Sequence, residues 1–96
     1  MVAVKQLFST QHVCVTASVN SKLNECVAFR LWVNECLNNH FGGQYGDIPE
    51  EEVQMNNEAI ADTDRIMSVY RNGEETIWII TYPGHEVTTV LFPSEY

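Results

Sequence analysis

Positive charge is scarce in this chain. Five Lys and Arg residues stand against 13 Asp and Glu, and the formal net charge is −8. Such a surface repels nucleic-acid phosphates and anionic headgroups, so neither direct nucleic-acid binding nor attachment to a charged membrane is expected. No run approaches the roughly 18 apolar residues that a membrane-spanning helix requires. The three cysteines, Cys14, Cys26 and Cys36, are odd in number and form no Cys-x-x-Cys pair. That excludes a disulfide framework and a thiolate zinc site, and it fits reduced thiols in a cytoplasmic protein. Met1 to Thr10 holds one Lys and no long apolar stretch, so it does not read as a secretory signal. Repeats, linkers and low-complexity segments are lacking too, and residues 1–96 read as a single domain.

What is present is hydrophobic periodicity. Val2 to Ser9 is mixed, a frayed arm or an edge strand. His12–Ser18 alternates and is rich in β-branched residues, which predicts a short strand. Asn20 or Ser21 then offers a helix cap. Leu23, Cys26, Val27, Val33 and Leu37 recur at helical spacing as far as Phe41, where Gly42-Gly43 stops the helix. Phe29, Trp32 and Cys36 lie beside that stripe and widen it. Asp47 and Pro49 open a second helix running to about Ala61, with Glu50, Glu51 and Glu52 placed to suit its N-terminal dipole and Val53, Asn56 or Asn57, and Ile60 facing inward. Arg65–Arg71, Glu75–Tyr82 and Val87–Phe92 read as a meander. Asn72-Gly73 marks a two-residue hairpin turn, and Glu75–Tyr82 is the central strand. The expected fold is α+β: two helices packed on one face of a small antiparallel sheet, in the order β-α-α-β-β-β.

The patterns that carry chemistry are missing. His12, His40 and His85 lie far apart, and no His-Glu-x-x-His spacing occurs, so no metal site is expected. Cys14 shares a strand face with His12 but has no third group to orient the pair. The loop Gly42 to Asp47 has the glycines of a phosphate cradle, yet Glu50, Glu51 and Glu52 follow and would repel an anion. The reading is therefore of a protein that is not an enzyme, with no catalytic residues and no cofactor.

Binding is signalled instead. Between Gly46 and Asp64 lie Asp47, Glu50, Glu51, Glu52, Glu58, Asp62 and Asp64, with no Lys or Arg among them. Carboxylates clustered on a rigid element can imitate nucleic-acid phosphates and occupy a basic groove on a partner; a solvated helix face is the plainer reading. Trp32 is expected in the core, although with Phe29 it could also form a dimer or partner face. Tyr45 is expected to be exposed at the edge of the acidic segment, and Trp78 to be core. Trp and Tyr are the residues that anchor interfaces.

His40, Gly43, Gly46, Asp47, Glu51, Asn56 and Ala59, continuing with Ser68, Tyr70, Trp78, Ile80, Thr81, Thr88, Thr89, Val90, Leu91, Pro93, Glu95 and Tyr96, match a pattern over residues 40–96. That stretch resembles a family of small proteins encoded on plasmids and other mobile elements, often labelled plasmid-related proteins. Gln44 and Tyr45 stand where the pattern has Asp and Trp. The turn Tyr82 to Glu86 replaces one where the family carries Glu, Asp and Arg; if that turn were catalytic in the family, this chain has lost it. The resemblance implies a plasmid or phage setting and a role in countering host defence or in plasmid upkeep. Together these readings lead to an anti-CRISPR-like inhibitor, a DNA mimic whose partner is a basic nucleic-acid-binding complex such as a CRISPR effector. The alternatives are a plasmid regulatory or adaptor module acting as a homodimer through Phe29 and Trp32, and a small enzyme of unknown reaction. The enzyme reading requires a pocket that gathers His40, His85 and a carboxylate.

Overall fold

The computed structural model describes residues 5–96. The fold is α+β, in the order β1 (His12–Val15), α1 (Ala17–Glu25), α2 (Val27–Phe41), α3 (Glu50–Asp62), β2 (Ile66–Asn72), β3 (Glu75–Thr81), β4 (Val87–Leu91) and a C-terminal 3-10 turn (Pro93–Glu95). The four strands form one sheet in the order β1-β4-β3-β2, so β3 is internal as its apolar sequence predicts. The Val2–Ser9 expectation lies partly outside the described residues. From Lys5 onward there is no strand before β1, and Leu7 N–H donates to Phe41 O (2.7 Å).

Two features differ from expectation. First, the sheet is mixed. β2, β3 and β4 form the antiparallel meander, but β1 runs parallel to β4, with Val13 beside Thr88 and Val15 beside Val90. Second, three helices are present, because the stretch read as one long helix breaks at Cys26. That residue is extended (φ −133°, ψ 110°). Its N–H donates to Lys22 O to close α1, while its sulfur accepts from Phe29 N–H (3.4 Å) to open α2. Arg30 Nε donates to Leu23 O (3.2 Å) and satisfies a carbonyl that the break frees. The break also resets the helical phase, and Val27, expected inward, is 62% exposed. Upstream, Thr16 rather than Asn20 or Ser21 caps α1 by accepting from Val19 N–H (3.3 Å), which ends β1 at Val15.

Strand alternation divides the sheet into two faces. Ile66, Ser68 and Tyr70 of β2, Ile77, Ile79 and Thr81 of β3, and Thr88 and Val90 of β4 share one face by register, and all are buried. Val19, Phe29, Val33 and Cys36 of α1 and α2 pack on Tyr70, Ile77, Ile79 and Val90, whereas Ala59 and Tyr45 pack on Ile66. Each fully buried Ile contributes about 1.5–3 kcal/mol. Trp78, expected in this core, points to the opposite face, where it is half-buried and meets Tyr96 edge-on at 5.2 Å. The C-terminal turn is held by Glu95, whose carboxylate accepts from Phe92 N–H (2.9 Å) and Thr16 Oγ1 (2.8 Å).

Candidate functional site

The second expected helix forms as α3. Pro49 precedes it, and Glu50, Glu51 and Glu52 occupy its first turn, where the helix dipole favours them. Val53 and Ile60 are half-buried and Asn56 and Ala59 buried, so one side faces the fold. At 100° per residue Glu51, Glu58 and Asp62 fall on the opposite side, one row running away from the body. Glu50 and Glu52 flank that row, and Glu52 also borders the junction with β2. Asp64 follows the helix and accepts from Arg65 N–H (2.8 Å). The seven carboxylates are all exposed. Asp47 differs from the rest in having a cation, since Arg71 Nε lies 3.3 Å from its Oδ2. Its expected capping role is not taken up, because α3 has no side-chain cap.

Three aromatic expectations are corrected or refined. Tyr45 is 3% exposed, not at an exposed edge. Its ring packs beside Ala59 and Ile66, its hydroxyl donates to Asn57 Oδ1 (3.0 Å), and burial raises its pKa. Tyr45 thus fills an interior slot. Phe29 is 5% exposed within the main core and cannot front a dimer face. Trp32 is half-buried beside it, with ring centroids 5.8 Å apart.

Tyr45 is buried because its backbone is tied to the sheet edge. Val69 N–H donates to Tyr45 O (3.1 Å), and Asp47 N–H donates to Val69 O (2.7 Å). Gly46 lies between them with φ +78°, and a Cβ there would sit 2.0 Å from Val69 O. One rung earlier, the Asn56 side chain of α3 does the same work. Its Nδ2 donates to Met67 O (2.9 Å) and its Oδ1 accepts from Met67 N–H (3.3 Å). The outer edge of β2 is therefore closed at Met67 by a side chain and at Val69 by main chain.

Beneath α3 and α2 lies a buried polar chain. His40 is wholly buried; its Nδ1 is 2.5 Å from Ser68 Oγ and its Nε2 is 2.9 Å from Thr81 Oγ1. Thr81 Oγ1 meets Thr88 Oγ1 at 2.7 Å, and Thr10 donates to Thr88 at 3.1 Å. Nearby, Tyr70 Oη donates to Gln44 O (2.6 Å). A neutral imidazole carries one N–H, so one ring nitrogen donates to its hydroxyl partner and the other accepts from its own. Burial, with the charge of His85 as a second cause, lowers the His40 pKa to about 3, so the ring is neutral.

His40 and His85 both meet the Phe8 ring, each at 5.5 Å between centroids. His85 is spent on a backbone contact, Nε2–H donating to Asp64 O (2.7 Å). What Asp64 offers His85 is its backbone carbonyl, not its carboxylate. Among the described residues no three His, Cys, Asp or Glu side chains converge as ligands for a metal. Cys36, buried beside Glu35, has its pKa raised to about 12 and is a core thiol.

Several of the positions on which the resemblance was read have a structural task. His40, Ser68, Thr81 and Thr88 form the polar chain; Tyr70 bonds Gln44 O; Gly46, Asp47 and Asn56 close the β2 edge; Glu95 ties down the C-terminus. Sequence reasoning missed Asn56 and Ser68 as working residues. The available signal was a small polar residue at an inward position of an otherwise apolar face. No protein-family model, curated protein or solved structure matches the chain. Among the described residues no helix is long and apolar enough to cross a membrane.

Proposed function

We propose that this chain is a non-enzymatic binding protein whose acidic α3 surface occupies a basic, nucleic-acid-binding groove on a partner complex. In its specific form it is a cytoplasmic, mobile-element-encoded inhibitor of a host nucleic-acid-targeting defence complex, anti-CRISPR-like in action. The observation that carries the reading is the outward row of Glu51, Glu58 and Asp62 on a helix without a single Lys or Arg. Asp62 stands about 6 Å along the axis from Glu58, and Glu51 about 10 Å from it on the other side. Such a row presents aligned negative charge on a rigid rod, as a nucleic-acid strand does. Carboxylates exchanged for phosphates against Lys and Arg speed association and block entry of the true ligand.

A binding role also suits the side chains that could otherwise do chemistry. His40 is sealed inside the fold, and His85 already donates to a backbone carbonyl. The test is capture of partners by the tagged chain from a bacterial lysate at low and at high salt. A basic nucleic-acid-binding complex held at low salt and released at high salt is the expected result. Capture of no such complex at either salt contradicts the proposal.

A further inference from the structure

The strand edge that α3 and the Tyr45–Asp47 segment close is left open at one rung. In β2 the pairs 66–81, 68–79, 70–77 and 72–75 exchange hydrogen bonds with β3, which turns the peptide groups of Met67, Val69 and Arg71 outward. Met67 is capped by Asn56 and Val69 by Tyr45 and Asp47. The outward N–H and C=O of Arg71 have no partner among the described residues.

That open rung borders two adjoining clefts between α2 and the β2–β3 hairpin. One, of about 240 Å³, reaches from Trp32 and Cys36 to Asp47 and Arg71. The other, of about 360 Å³, reaches from Trp32 and Phe29 to Glu74 and Glu75. Trp32 lines both, so they form one groove with an indole at its middle. The first volume falls below and the second at the lower end of the roughly 300–1,000 Å³ of small-molecule sites, and both suit side chains of a peptide. The rim is acidic. Its two cations are already engaged, Lys22 with Glu75 and Arg71 with Asp47. Glu35 and Glu74 have no cation among the described residues.

We infer that this groove takes an extended, basic segment of a partner protein, which pairs with the Arg71 rung and seats an aromatic or aliphatic side chain against Trp32. An added strand supplies main-chain hydrogen bonds, and the pocket for alternate side chains supplies selectivity. Lys or Arg beside that anchor meets Glu35 and Glu74. A nucleic acid would bring phosphates against the same carboxylates, and a second copy would bring another net charge of −8. The groove lies apart from the outward row of α3, and the inference does not depend on what that row faces.

The test selects random peptides displayed on phage against the full chain. Enriched sequences are expected to place Lys or Arg around a Trp, Phe or Leu. A synthetic peptide of that sequence should shift the Arg71 amide and the Trp32 indole N–H in a ¹⁵N correlation spectrum. Glu35→Lys with Glu74→Lys, both on exposed positions, should weaken it about tenfold or more. Glu51→Lys with Glu58→Lys and Asp62→Lys should retain binding within about twofold, which separates the groove from the α3 surface. Enrichment without basic residues, affinity unmoved by the Glu35 and Glu74 reversals, or shifts confined to α3 would overturn the inference. So would a concentration-dependent dimer, seen by sedimentation, that buries Trp32.

Discussion

His40 Nδ1 lies 2.5 Å from Ser68 Oγ in an interior that neither side chain shares with solvent. The two residues come from α2 and β2, so the bond joins the helical layer to the sheet. Ser68→Ala would leave Nδ1 of a buried imidazole without its hydrogen-bond partner. The expected cost is about 1–3 kcal/mol in urea denaturation. Stability equal to the parent chain would contradict the His40–Ser68 bond.

The same histidine makes stability depend on pH. In the unfolded chain the ring titrates near its ordinary value of 6.5, whereas in the fold it stays neutral down to about 3. Between those values the unfolded state binds the additional proton, so stability is complete above pH 6.5 and falls as the pH drops. From pH 7 to pH 5 the loss due to His40 amounts to roughly 2 kcal/mol. His40→Gln keeps a donor and an acceptor without the titration, and its denaturation midpoint should fall correspondingly less over that interval. Equal slopes for the two proteins would remove His40 as the cause.

Gly46 and Gly73 both have positive φ, yet they should respond differently to alanine. A Cβ on Gly46 would overlap Val69 O at 2.0 Å, with backbone on both sides unable to yield. A Cβ on Gly73 meets nothing within 4 Å, which leaves only the left-handed backbone cost of about 1–2 kcal/mol. Gly46→Ala should therefore abolish cooperative thermal unfolding or lower its midpoint far more than Gly73→Ala. Comparable midpoints would contradict the close approach of the Tyr45–Asp47 segment to β2.

Asn56→Ala removes the side chain that closes the Met67 rung. It should cost about 1–3 kcal/mol and expose unpaired peptide groups on an edge strand, so that oligomers appear by light scattering as concentration rises. Asn56→Ala that stays monomeric and equally stable would show that the edge needs no such closure.

These residues also mark how far the sequence could be read. The meander was legible because Gly73 and the alternation of Ile66 to Tyr70 and Ile77 to Ile79 are local signals, although the two turn residues are Gly73-Glu74 rather than the expected Asn72-Gly73, since Asn72 pairs with Glu75. The start of α3 was legible from Pro49 and its three glutamates. The break at Cys26 was not, because no Gly or Pro marks it and the apolar spacing runs across it; the cap there is a thiol, an unusual capping group. The parallel pairing of β1 with β4 was hidden for another reason, since it joins segments some seventy residues apart in register and leaves no local trace. Tyr45 was misplaced because loop composition suggested exposure, while tertiary pairing of its backbone with Val69 drew the ring inward. The acidic row was legible as charge, and its outward direction follows from which side of α3 carries Asn56 and Ala59.

The most direct test of the central claim is the salt dependence of binding to a captured partner complex, measured for the parent chain and for the Glu51→Lys, Glu58→Lys, Asp62→Lys variant by titration calorimetry. The parent should bind with affinity that falls steeply as salt rises, and the variant should lose about tenfold or more at low salt while its circular dichroism stays unchanged. Equal affinities and equal, shallow salt slopes would contradict the account and remove α3 as the binding surface.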